Sequence, residues 1–161
     1  VRAIGGKSME AHIIAQGVNT QSWVARTELV RRIGGWNERL MLWNDYEIGV
    51  RLLLASKSTV WSDNVYHRIY QHEGKRLTNV AGQLRVERAA QALAAVEQDI
   101  VHCGAKTQRA LRLRRAIVRG QLERLGLDAH CIECRGFVAT LLRHYTRLGG
   151  RAAWRIALSL I

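Results

Sequence analysis

The sequence predicts an α/β part over residues 1–80 followed by an all-α extension over residues 81–161. Three observations predict it. In the first part, short stretches bearing Trp and Val alternate with helical ones, as strands and helices alternate in a mixed α/β segment. From about Val80 the composition turns to Ala, Leu, Gln and Glu, all strong helix formers. There is no Pro anywhere, so glycines and polar clusters mark the boundaries.

The elements follow in chain order. "TQSWVA" (Thr20–Ala25) has the Trp/Val content of a short strand. "RTELVRRI" (Arg26–Ile33) reads as a short helix with Leu29, Val30 and Ile33 on one side, stopped by Gly34-Gly35. Asn44 to Ser56 predicts a longer helix. Asn44 is its N-cap, Glu47 stands three residues on as in a capping box, and Ile48, Leu52 and Leu53 recur at helical spacing. "STVWS" and "VYHRIYQ" read as two short strands around Ser62-Asp63-Asn64, and "HEGKRLTN" (His72–Asn79) as loop. The extension predicts three to four helices. The first, from about Val80, ends at Gly104; the second covers Lys106 to Leu125; the third covers Asp128 to Leu148, with Asp128 as N-cap and Gly149-Gly150 as stop; a short last one runs to Ile161.

The chain has 161 residues, enough for one domain with a sizeable core. Its 48% hydrophobic and 24% charged residues exclude a disordered chain. No apolar run reaches the about 18 residues of a membrane-spanning helix. The chain opens at Val1 without a signal-peptide pattern, which suggests a fragment or a processed chain. Three cysteines, Cys103, Cys131 and Cys134, make an odd count that speaks against a disulfide framework and for a reducing, cytoplasmic compartment. Cys131 and Cys134 form a CxxC in "HCIEC", with His130 and His102 as further metal ligands on offer, but a second CxxC is absent. Two cysteines one helical turn apart, packed as small hydrophobes, account for the pair more simply.

The formal net charge is +12, which implies anionic partners. Residues 1–80 carry 11 Lys+Arg against 7 Asp+Glu, and residues 81–161 carry 14 against 6, so the extension holds most of the excess.

Three places could carry chemistry. Asp45 opens a helix, where an acid complements the positive end of the dipole; the same dipole keeps the carboxylate ionised, as a general base requires. His72 lies in a polar loop with Lys75 and Arg76. It reads as a solvated surface residue, or as a metal ligand or phosphate contact aided by those cations. Gly34, Gly35 and Trp36 read as a helix C-cap followed by a core aromatic, or as a close-approach loop whose Trp stacks on a sugar ring or base.

The order of these features resembles the C-terminal half of a bacterial family 2 glycosyltransferase with the GT-A fold. In that family a segment similar to "TQSWVARTELVRRIGGWNERL" leads to an acidic pair opening a helix, with an Arg one to two turns on. Here these are Asn44-Asp45 and Arg51. An aromatic-Arg stretch, a His and a Thr-bearing loop follow: Tyr66 to Tyr70 with Arg68, then His72, then Thr78. The resemblance covers roughly Val18 to Asn79. It implies transfer of a sugar from a nucleotide-sugar donor to a glycan or lipid-linked acceptor hydroxyl, usually with inversion. Asp45 would be the general base, and His72 would approach the divalent cation, magnesium or manganese, that neutralises the departing diphosphate. Lys75 and Arg76 would lie near that diphosphate, while Gly34, Gly35, Trp36, Asn44 and Arg68 would shape the substrate side. The sequence departs from the family in having Asn44 for the first acid and in lacking an Asp-x-Asp metal motif. With that motif missing, the chain by itself is expected not to bind donor or turn over.

The tail offers another surface. Lys106 to Arg124 holds Lys106, Arg109, Arg112, Arg114, Arg115, Arg119 and Arg124, interleaved with Leu111, Leu113, Ile117, Val118 and Leu122. Such a helix is a core helix with a solvated basic face, or a peripheral contact with an anionic membrane, which the resemblance implies is the inner membrane. Arg143 to Arg155 continues the theme, with Trp154 as an interfacial anchor. The rival reading without catalysis is a basic helical protein that binds nucleic acid or acts as a membrane-surface adaptor. The pI near 10.8 favours nucleic acid, but no recognised nucleic-acid motif appears and no specific nucleic acid is expected.

Overall fold

The computed structural model describes residues 8–62, 80–150 and 152–161. Among them are seven α-helices, one 3-10 turn and no strand. The helices are α1 (Met9–Ala15), α2 (Thr27–Arg32), α3 (Asn44–Ala55), α4 (Gly82–Asp99), α5 (Ala105–Arg124), α6 (Phe137–Arg147) and α7 (Ala153–Ser159).

The α/β half expected over residues 1–80 is corrected by this architecture, and with it the identification as part of a GT-A glycosyltransferase. Both described stretches that read as strands fail for local reasons. Thr20–Ser22 is a 3-10 turn, because Ser22 Oγ accepts the Asn19 N–H at 2.7 Å while the Ser22 N–H reaches back to the Asn19 carbonyl at 2.8 Å. This reciprocal bonding competes with an extended ladder. In "STVWS", Val60 is 94% exposed, and an extended segment without a neighbouring strand or an apolar cover does not form sheet. "VYHRIYQ", Arg68, His72, Lys75, Arg76 and Thr78 lie outside the described residues.

Helix ends follow from identifiable caps. Ser8 Oγ accepts the Ala11 N–H at 3.1 Å and starts α1, a helix that strand-and-loop reasoning passed over. Gly34 and Gly35, at φ 81° and 68°, end α2, and the Gly35 N–H bonds the Val30 carbonyl at 3.0 Å. The start of α3 differs from expectation. Its N-cap is Trp43 in the left-handed region at φ 58°, Asn44 is the first helical residue, and Glu47 closes no capping box. The Glu47 carboxylate is committed elsewhere, to a two-pronged bond with Arg51 at 2.7 Å on each oxygen. The helix expected from Asp128 begins instead at Phe137. Asp128 Oδ1 accepts the His130 N–H at 3.1 Å, which closes a turn, and Gly136 at φ 93° resets the chain just before α6. Cys131 and Cys134 therefore sit in an irregular segment, not one helical turn apart.

The core is one cluster that draws on both sides of residue 80. Ile13 and Ile14 of α1, Tyr46 and Val50 of α3, Val86, Leu93 and Val96 of α4, Leu111, Ile117 and Leu122 of α5, Leu142 of α6 and Ala157 of α7 are all buried in it. Helix α5 is the hub and packs on α1, α4, α6 and α7. Its closest partner is α6, and Gly120 permits that approach, since a Cβ there would run into the Arg143 carbonyl and lie 2.8 Å from Thr146 Cβ.

Candidate functional site

Asp45 lies in the first turn of α3. Its Oδ1 accepts the Tyr46 N–H at 2.9 Å and a Gln16 side-chain N–H at 3.2 Å. Burial raises its carboxyl above the usual carboxylate range, and those hydrogen bonds hold it partly back. Gln16 in turn accepts a bond from Arg114 Nη2 at 3.3 Å, so Asp45 is joined through Gln16 to an arginine in the core.

Arg114 is 9% exposed and has no carboxylate partner among the described residues. Its Nη1 donates to the Ile14 carbonyl at 3.1 Å, at the C-terminal end of α1, where orphan carbonyls and the helix dipole favour a cation. The guanidinium stacks over Trp43 at 5.1 Å and Tyr46 at 5.4 Å. Burial lowers its pKa, and the neighbouring Tyr46 opposes that. Beside it, His12 is 1% exposed. The Val18 N–H donates to its Nδ1 at 3.0 Å, so Nε2 carries the proton and donates to the Tyr46 carbonyl at 2.9 Å. Burial, aided by Arg114, lowers the imidazole to about 4. Burial pushes the Tyr46 phenol up to about 12, and its hydroxyl donates to the Ile13 carbonyl at 3.0 Å.

Perturbed pKa values mark functional sites only where a proton can reach a substrate. In this cluster the Tyr46 hydroxyl and both His12 ring nitrogens are consumed internally, and each bond ties α1 to α3 or to the turn after α1. The cluster is a structural joint, and Asp45 sits at its edge.

The other expected site residues that the structure describes do not assemble around Asp45. Asn44 is exposed beside it. Gly34 and Gly35 cap α2, and Trp36 leans on Trp23 with ring centroids 6.4 Å apart. Arg51 clamps Glu47 and donates to the Ile33 carbonyl at 2.6 Å, which ties the end of α2 to α3. Among the described residues no group of three or more His, Cys, Asp or Glu side chains could hold a metal ion.

The tail departs from expectation in a more useful way. Helix α5 keeps no apolar face free, because Leu111, Leu113, Ile117, Val118 and Leu122 are all in the core. Its Arg115 and Arg119 are bonded to Glu97 at 2.7 Å and Glu123 at 2.8 Å. Helix α6 is the exception. It packs on α5 through the small or modest residues Ala139, Leu142 and Thr146. Its larger apolar side chains point outward: Phe137 is 78% exposed, Leu141 53%, Tyr145 41% and Leu148 88%, with Val138 beside them. Positions 137, 141, 145 and 148 share one side of a 3.6-residue helix. Arg143, by contrast, is tucked towards Glu123 of α5 with 20% of its side chain exposed. On α7, Ile156 is exposed and Arg155 stacks over Trp154 at 5.3 Å. No acid occurs between Cys134 and Ile161, whereas five arginines do.

The outward stripe was missed because Phe137, Leu141 and Leu142 give the same periodic signal whichever face is packed. No helix among the described residues is long and apolar enough to cross a membrane. Compared with protein-family models, with curated proteins and with solved structures, the chain matches none.

Proposed function

We propose that the chain is a non-catalytic module that docks on an anionic membrane surface through α6 and α7. The observation that carries this is the orientation of α6, whose largest apolar residues face solvent within an acid-free, arginine-bearing segment. Exposed contiguous apolar surface rimmed by polar groups marks an interaction face. An interfacial helix needs an apolar face and flanking cations that meet anionic headgroups. Tyr145 and Trp154 supply the amphipathic rings favoured at headgroup depth. Affinity for a duplex backbone comes from cations on phosphates, to which a contiguous stripe of one Phe and two leucines adds little.

The test is flotation of the chain with vesicles of phosphatidylcholine alone or mixed with phosphatidylglycerol, at physiological salt. Binding to the mixed vesicles that falls tenfold or more in Phe137→Gln/Leu148→Gln, with folding intact, supports docking. Two such side chains contribute about 1.5 kcal/mol or more each when fully buried, so a loss of one to two orders of magnitude is the scale to expect. Absent binding, or binding unchanged in the variant, overturns it. So does a vesicle-inactive dimer that the variant makes monomeric, or binding to random duplex DNA that exceeds vesicle binding at the same salt.

A further inference from the structure

We propose that the cleft between the end of α5, the turn through Asp128 and the polar side of α6 is a binding site for a phosphate monoester. The cleft is a cavity of about 400 Å³ into which Arg119, Glu123, Asp128, His130, Arg143 and Arg147 converge. This size suits a small headgroup or metabolite.

The donors are arranged by the fold. Each nitrogen of Arg119 is engaged: Nε to Glu123 Oε1 at 2.8 Å, Nη1 to the Ile132 carbonyl at 3.2 Å, and Nη2 to His130 Nδ1 at 2.8 Å. A guanidinium only donates, so Nδ1 of His130 accepts, and the ring proton sits on Nε2. That Nε2 is 3.6 Å from Asp128 Oδ1, beyond hydrogen-bond reach, on a side chain 80% exposed. Among the described residues it makes no hydrogen bond, and the Arg119 bond to Nδ1 orients the ring.

Across the cleft, Arg143 and Arg147 stand one helical turn apart on α6. Arg143 Nε is buried without a hydrogen bond, and faces Glu123 Oε2 at 3.5 Å, also buried and without one. Buried polar atoms left so require an explanation. Arg147 enters no ion pair among the described residues. Three arginines thus face two carboxylates, a surplus of one positive charge that favours an anion, and the number of free donors sets its form. A terminal phosphate presents three oxygens to Arg143, Arg147 and His130 Nε2. A diester carries less charge and fewer free oxygens.

The site stands on its own geometry, but its source could be a lipid headgroup at the surface docked by α6 or a soluble phosphomonoester. Both share the chemistry, and the experiment separates them. Glycerol 3-phosphate is titrated into the whole chain by calorimetry, with the ring ¹⁵N shifts of His130 followed in parallel. The expected result is saturable one-site binding that moves the His130 signals. It weakens at least tenfold in Arg143→Gln/Arg147→Gln and changes less than twofold in the charge-matched control Arg109→Gln/Arg112→Gln. Vesicles bearing phosphatidic acid are then compared with phosphatidylglycerol vesicles at matched surface charge. A preference for phosphatidic acid that vanishes in Arg143→Gln/Arg147→Gln assigns a lipid headgroup. Equal vesicle binding with glycerol 3-phosphate binding retained assigns a soluble ligand. Without saturable binding or any lipid preference, or with an equal loss in the control variant, the proposal is overturned. The wild-type His130 readout decides even if the double variant does not fold. If Phe137→Gln/Leu148→Gln fails to alter vesicle binding while the monoester still binds, only the docking face is wrong.

Discussion

Lowering the pH from 7.5 to 4 should weaken the joint between α1 and α3 through a single ring, that of His12. The folded chain holds His12 neutral, because Val18 occupies Nδ1 as donor and Tyr46 takes the Nε2 proton, in a site where the ring is 1% exposed. A second proton on Nδ1 would expel the Val18 N–H and place a cation beside Arg114. The folded-state pKa is about 4 against an ordinary 6.5. The unfolded chain therefore binds more protons over that interval, and stability falls as pH falls. His12's contribution is fully present above about pH 6.5 and is lost as the pH drops towards 4, amounting to about 3 kcal/mol at a slope near 1.4 kcal/mol per pH unit.

Asp99 acts with the opposite sign. Burial, with Glu47 adding to it and Arg51 opposing, raises its carboxyl to about 6. Acidification through that value relieves a half-buried charge and adds stability, so the raw pH profile mixes the two groups. The assay that isolates His12 is its own ring titration by NMR in the folded chain. It is joined by urea denaturation of wild type and His12→Asn between pH 4 and 7.5. The ring should titrate near 4 from an Nε2–H tautomer, and the variant should lose the acid-side slope that wild type shows. A His12 ring that titrates at 6 or above in the folded chain would refute the reasoning.

Two further outcomes can be measured by stability alone. Gly49→Ala should destabilise by about 2 kcal/mol or more despite the better helix propensity of Ala, because the new Cβ would lie 2.5 Å from His12 Nε2, on a ring that two hydrogen bonds hold in place. A melting temperature at or above wild type would show that the ring is free to move. Asp99→Asn should stabilise by up to about 1 kcal/mol at pH 7.5, since it removes a half-buried charge from the last turn of α4, where the helix dipole disfavours an acid. The gain should vanish by pH 5, where wild-type Asp99 is itself protonated; urea midpoints at the two pH values check this.

Local chemistry was legible where one or two residues decide it. Gly34-Gly35 after Ile33 announced the end of α2, and Gly126 and Gly149 fall just past α5 and α6. Legibility stopped where an outcome depended on a distant partner. Thr20–Ala25 carries strand-like residues, yet no strand among the described residues pairs with it, so local Asn19–Ser22 bonding prevails. Glu47 looked like a capping-box acid, but Arg51, one turn on in the same helix, offers two charge-assisted bonds and takes it. Asp45, the residue singled out as a base, kept its place in a first turn, while its neighbours proved to be Gln16 and, beyond it, Arg114, which lies 98 residues from Gln16 in sequence. No spacing rule joins those three.

By itself the sequence determined the charge of this protein and where it lies. The excess of arginine after residue 80 and the absence of any acid beyond Glu133 hold whatever the fold, because formal charge is a property of composition. It also determined that residues beyond 80 would be rich in helix. Only the tertiary structure decided which sides of those helices are covered. Periodicity states that a helix has an apolar side, but burial is a relation between two surfaces. Helix α5 found partners for its whole apolar side and sank its leucines and Arg114 into the core, leaving Lys106, Arg109 and Arg112 in water. Helix α6 approached so closely over Gly120 that its small side packed, leaving Phe137, Leu141, Tyr145 and Leu148 in water.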